Sequence, residues 1–214
     1  MKNHQKKFIL ASVLLLVSFI VWTILVKFID VQGIGPNGSS VGFATLNGVF
    51  HRFTGTNMTL YIITDWLGLV PIAVALGFAL LGLIQWIRRK SILKVDLDII
   101  ALGCFYICVM AMYVLFECVV INHRPILING YLEASYPSST TMLVMCVIPT
   151  AMMQLGARIK HKALRMLIIS LLAAFCAFMV MGRIISGVHW LSDIIGGALL
   201  SASLVCGYRS VISY

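Results

Sequence analysis

The chain is 214 residues long; 61% of them are hydrophobic and only 11% are charged, less than half of the ~25% usual in soluble domains. Together with a mean hydropathy of +1.02, these figures exclude a soluble globular domain, a disordered chain, a coiled coil and a collagen. The net charge of +9, from 16 basic and 7 acidic residues, would suggest nucleic acid in a soluble protein. In a membrane protein it first orients the helices, and no nucleic-acid partner is expected.

A spanning helix needs about 20 mainly apolar residues, and the sequence contains six such runs: 8–29, 60–87, 99–121, 138–155, 164–182 and 190–208. The first has a basic start but is long for a signal peptide, and no small-x-small cleavage site follows closely, so it is read as a retained helix. The second is long enough to tilt or kink and contains Pro71. Between them, 30–59 is rich in Gly, Asn, Ser and Thr. It is long for a bare connection and is expected to pack over the bundle, with 41–50 suited to a short interfacial helix. Without an internal repeat or second domain, residues 1–214 are read as one all-α, membrane-embedded domain of six helices.

Lys2, Lys6 and Lys7 precede the first run; Arg88, Arg89, Lys90 and Lys94 follow the second; Arg158, Lys160, Lys162 and Arg165 join the fourth and fifth; Arg209 closes the sixth. These are 12 of the 16 basic residues, all on one side. The positive-inside rule therefore predicts cytoplasmic termini in a multi-pass plasma-membrane protein. The outer connections become 30–59, 122–137 and 183–189. All six cysteines (Cys104, Cys108, Cys118, Cys146, Cys176 and Cys206) fall within the apolar runs with no CxxC pair. They read as small packing residues and make no metal or disulfide framework.

Ionisable groups at membrane depth are costly and mark function. Here Glu117, His123, Arg124, Glu133, Arg183, His189 and Asp193 gather at the outer ends of the last four runs, with the polar turn Pro137-Ser138-Ser139-Thr140-Thr141. Asp193 stands one helical turn after His189. Either it accepts a hydrogen bond from one imidazole nitrogen and leaves the other free as nucleophile or base, or it occupies the first turn of a capped helix. Arg124 offers a fork of donors for phosphate oxygens or snorkels to headgroups. Ser138, Ser139 and Thr140 open a helix whose free N–H groups make an anion site, or Ser138 or Ser139 is an ordinary N-cap. Asp65, another intramembrane charge, either pairs with a site cation or is structural. Together these groups describe a phosphoryl site.

The same residues resemble the type 2 phosphatidate phosphatase family of membrane lipid phosphatases, within a chloroperoxidase-like superfamily. Its motifs are K-x6-R-P, P-S-G-H and S-R-x5-H-x3-D. The third reads Gly182-Arg183-x5-His189-x3-Asp193, with only the leading Ser changed. The first reads Glu117-x6-Arg124-Pro125, and the second Pro137-Ser138-Ser139-Thr140. The resemblance implies a membrane lipid phosphate substrate and no metal or cofactor. It makes His189 the nucleophile that forms a phosphohistidine and Asp193 its orienting partner. Arg124 and Arg183 become the phosphate clamp, with Ser138, Ser139 and Thr140 as further donors.

Two departures bear on the chemistry. Thr140 replaces the histidine acid, and Glu117 reverses a lysine's charge. Glu117 either pairs with Arg124 or Arg183 or acts as a neutral acid, and His123 and Glu133 are the other acids nearby. General acid help is worth ~10²–10⁴-fold. A lipid alkoxide needs it far more than a phosphate monoester does, whose second pKa is about 6. The expected substrate is therefore a polyprenyl diphosphate, cleaved on the outer face. The other readings are a phosphotransferase using the same histidine, or a weakly catalytic relative that binds phospholipid or a membrane partner.

Overall fold

The computed structural model describes residues 2–212. Among them run eight helices: α1 (Lys2–Phe28), α2 (Ala44–Thr54), α3 (Met58–Leu67), α4 (Leu69–Arg89), α5 (Leu97–Cys118), α6 (Ser139–Arg158), α7 (Lys162–Ile185) and α8 (Leu191–Val211). Six stretches are long and apolar enough to cross a membrane, α3 and α4 counting together as Met58–Arg89. The helix ends differ from the sequence expectation by up to six residues, most at the start of α1, whose basic first turn stays helical. The long second run breaks at Gly68, between α3 and α4. Pro71, three residues on, has no N–H to return to the Leu67 carbonyl, so the ladder is interrupted one turn before the proline.

α6 and α8 form the centre. Half of each span is buried, against 6–22% for the others. They are also the spans richest in Ser, Thr and Gly, because in a bilayer it is close approach and hydrogen bonding, not apolarity, that distinguishes an interior helix. α1 lies along α8, where Ser12 and Ser203 each donate a hydroxyl hydrogen to the other's carbonyl at 2.9 Å. The outer faces keep their apolar side chains exposed, as Leu10, Leu14 and Val17 do on α1. At the end of the bundle that holds the basic clusters, Arg158 pairs with Asp98 at 2.8 Å and the Tyr208 hydroxyl donates to the Asp98 carbonyl at 3.3 Å, fastening α5, α6 and α8.

At the opposite end, the 30–59 segment covers the bundle. α2 forms within it, three residues later than the expected 41–50 helix, and packs on α8. Two glycines set how closely this end closes. Gly187, in the α7–α8 turn, has φ +65° and lies so close to the Gly55 carbonyl that a Cβ would sit 1.8 Å from its oxygen. Gly182, on α7, faces α3: a Cβ there would lie 2.6 Å from Thr64 Cγ2. Gly182→Ser should therefore push α3 off α7 and destabilise the protein by about 1–3 kcal/mol. Thr64→Ser, which removes that methyl and keeps the hydroxyl, should recover most of the loss in a double-mutant cycle by thermal unfolding in detergent.

Candidate active site

The α7 C-terminus carries Arg183, and the turn after it carries His189 at the threshold of α8. The cross-loop from 119 to 138 brings in Arg124, held by a hydrogen bond from the Arg124 backbone N–H to the Glu133 carbonyl at 3.0 Å. His189 is 5% exposed and Asp193 is fully buried.

Arg124 Nη1 stands 3.2 Å from His189 Nε2. On the other side of the ring, Nδ1 is 3.2 Å from the Ser135 carbonyl oxygen. A carbonyl only accepts and a guanidinium only donates, so Nδ1 carries the hydrogen and Nε2 presents its lone pair. Burial pushes the His189 pKa down to about 4, against a partly compensating contribution from Asp193, so the ring is neutral at physiological pH.

Asp193 does not make the direct hydrogen bond that the sequence suggested. Its Oδ2 lies 3.9 Å from Nδ1 and instead accepts the Trp190 N–H at 3.0 Å. Asp193 thus caps the start of α8 while standing 3.9 Å from the imidazole, whose Nδ1 hydrogen goes to Ser135. Oδ1 is bound by Asn122 Nδ2 and by the Ser192 hydroxyl, each at 3.3 Å. Asn47 continues this network: its Nδ2 donates to Ser192 Oγ at 2.9 Å and its Oδ1 accepts the Ser192 N–H at 3.1 Å. α2, the cross-loop and α8 are thus tied together around the carboxylate.

Arg183 is 1% exposed. Its Nη2 pairs with Asp65 at 2.8 Å and donates to Thr140 Oγ1 at 2.7 Å; Nε and Nη1 have no hydrogen-bond partner among the described residues. Tyr61 on α3 lies under both guanidiniums, 5.0 Å from Arg183 and 5.9 Å from Arg124. Ser138 takes the N-cap position of α6, but its hydroxyl accepts from Thr141 Oγ1 at 3.0 Å rather than from a backbone N–H. The first-turn amides of α6 therefore keep their free donors. Glu133 pairs with Arg124, 3.0 Å from Nε. Glu117 pairs with neither arginine, contrary to one expectation for it, since Glu133 and Asp65 hold those places. It lines a small cavity together with His189 and Ser139. His123 contributes its carbonyl, which accepts the Trp190 indole N–H at 2.7 Å.

Asn47, Tyr61, Asn122, Ser135 and Ser192 were not anticipated. They carry no charge and sit at no diagnostic spacing. The one available signal was an asparagine directly beside His123-Arg124-Pro125.

Two arginines, a neutral imidazole and a helix start with free amides lie together within the part of the chain that carries the motifs. Residues 118–214 match the PAP2 superfamily. The PAP2 match takes in Arg124, the 138–140 turn, Arg183, His189 and Asp193, and begins one residue after Glu117. No curated protein matches the chain. The fold is similar to the crystal structure of the first transmembrane PAP2 type phosphatidylglycerolphosphate phosphatase from Bacillus subtilis, with a TM-score of 0.51 and 18% identity over 93% of this chain and 94% of that one. Against the PAP2 pattern, Thr140 has become a ligand of Arg183, and Gly182 admits the helix that supplies Asp65.

The lowered His189 pKa gives a signed pH test. Between its ordinary value of 6.5 and its folded value of about 4, the unfolded chain binds a proton that the folded one does not, so stability falls as pH drops through that window. Wild-type protein should lose thermal stability between these values in excess of His189→Gln, and the two profiles should run parallel above pH 7.

Proposed function

We propose that the protein is a membrane lipid phosphatase that cleaves a polyprenyl diphosphate to the monophosphate through a phosphohistidine at His189. The observation that carries this reading is the neutral His189, with its Nε2 lone pair 3.2 Å from Arg124 in a site where two nitrogens of Arg183, Nε and Nη1, keep their N–H donors unpartnered. Terminal phosphate oxygens would take those donors and the amides of the α6 start. Nε2 attacks the terminal phosphorus, the bridging P–O bond breaks, and the polyprenyl monophosphate leaves with the electron pair. Water then attacks phosphorus, the P–N bond breaks, and inorganic phosphate is released with a neutral His189.

A lipid chain has a place nearby. A largely apolar cavity of about 350 Å³, walled by Leu69, Ile72, Val109, Met110 and Leu143, reaches Asp65 and Thr140. The diphosphate preference rests on Thr140: its hydroxyl is engaged by Arg183 and is no acid near neutral pH, which suits a leaving group that departs without a proton. The twelve basic residues at the opposite end support an outward-facing site in the plasma membrane and cytoplasmic termini.

Purified protein without metal should release phosphate from polyprenyl diphosphate faster than from phosphatidic acid or phosphatidylglycerophosphate. His189→Ala should lower that rate by at least about 10³-fold. Release from none of the three substrates would remove the hydrolase reading in favour of transfer or binding.

Thr140→His supplies an acid where the family has one. Monophosphate turnover should rise relative to diphosphate turnover by about 10²-fold. An unchanged ratio would break the link between the missing acid and substrate choice.

A further inference from the structure

The phosphohistidine must be hydrolysed, and attack by water is slow unless a base takes its proton. Thr140 cannot do so, and the carboxylates of Asp65 and Glu133 are bound to the two arginines. Asp193 is buried and bound by Trp190, Asn122 and Ser192. Glu117 differs from these in that its side-chain partner is the Tyr113 phenol rather than an arginine or a buried network. It is exposed, it has no ion pair with either arginine, and it shares with His189, Ser135 and Ser139 a cavity of about 10 Å³. That is about the volume one water needs, with polar partners on several sides. Besides His189 and Glu117, the titratable groups on its wall are Tyr113 and Tyr136. The Tyr136 phenol is engaged by Thr23 Oγ1 at 2.7 Å.

The small cavity adjoins the larger apolar one. Tyr113, Ser139 and Met142 line both. Glu117 lines only the small cavity, beside Tyr113 of the shared wall.

We propose that Glu117 is the general base of the second step, taking a proton from a water held in the cavity it shares with His189; this rests on the phosphohistidine reading above. The water oxygen bonds to phosphorus, its proton passes to the Glu117 carboxylate, and the P–N bond breaks with its electron pair returning to Nε2. Glu117 then gives the proton to solvent or to the departing phosphate. The charge reversal at the family's lysine position acquires a purpose on this account. A lysine would hold phosphate oxygens, whereas a carboxylate weakens that hold and activates the water.

The test is rapid-quench turnover of radiolabelled polyprenyl diphosphate by the full-length protein. Wild type and Glu117→Gln should form phosphoenzyme at similar rates. Glu117→Gln should then give a burst of one monophosphate per protein and release inorganic phosphate about 10²–10⁴-fold more slowly. Glu117→Asp should recover part of the rate. Glu117→Lys should lower KM while leaving phosphate release slow, a split that a merely structural role would not produce. Wild-type turnover in Glu117→Gln, or a slow rate without accumulated phosphoenzyme, would overturn the proposal. Absence of phosphoenzyme in wild type and every variant, with His189→Ala no different, would instead bring down the phosphohistidine reading on which it stands.

Discussion

The buried guanidinium of Arg183 is the constraint around which this end of the bundle is arranged. A charge that is 1% exposed costs several kcal/mol unless it is paired and hydrogen-bonded. Asp65 supplies the opposite charge and Thr140 a further acceptor, both through Nη2. Tyr61 adds an aromatic face. Nε and Nη1 stay without partners, so the pairing is incomplete on the side an anion would fill. The arrangement requires α3 to come close to α7, which in turn requires that residue 182 have no side chain.

A second buried network fixes the nucleophile's surroundings rather than the nucleophile itself. Asp193 is satisfied by Trp190, Asn122 and Ser192, and Asn47 ties Ser192 to α2. The carboxylate can then remain fully buried beside a neutral imidazole without sharing its proton. His189 keeps one tautomer because the Ser135 carbonyl holds Nδ1. Burial and the neighbouring arginines also disfavour a positive charge on the ring. A neutral imidazole beside two cations keeps its Nε2 lone pair available at the pH where phosphate oxygens are ionised.

The six spans and the gathering of polar groups at one end were legible in the sequence because both follow from bilayer physics. Twenty apolar residues cross a membrane, and ionisable residues inside one must converge or be excluded. The spacing of Arg183, His189 and Asp193 was equally plain, as was the presence of a short helix after 41. What spacing does not reveal is which acceptor meets which donor. Asp193 lies one turn from His189 as expected, yet the backbone turn at Ser135 reaches Nδ1 first. The break at Gly68 needed the Leu67 carbonyl to be counted as unpaired, and Asn47, Asn122 and Tyr61 act through contacts between segments far apart in the chain. Glu133 and Asp65 displaced Glu117 as the arginines' partners for the same reason: loop and helix packing, not sequence distance, decides proximity.

Of the four departures from the PAP2 motifs, at 117, 139, 140 and 182, those at 182 and 140 are physically coupled. With glycine at 182, Thr64 fits against α7 and α3 delivers Asp65 to Arg183. With Arg183 turned toward Asp65, the same Nη2 reaches residue 140, where a threonine hydroxyl accepts at 2.7 Å. A protonated histidine acid at that position would have no lone pair to offer and would face the guanidinium as a like charge. Position 140 thus serves the arginine, while the carboxylate at position 117 lines a small cavity together with His189. Each substitution taken singly looks like decay of a motif. Taken together, those at 182 and 140 keep the two arginines close to His189 and change what holds one of them.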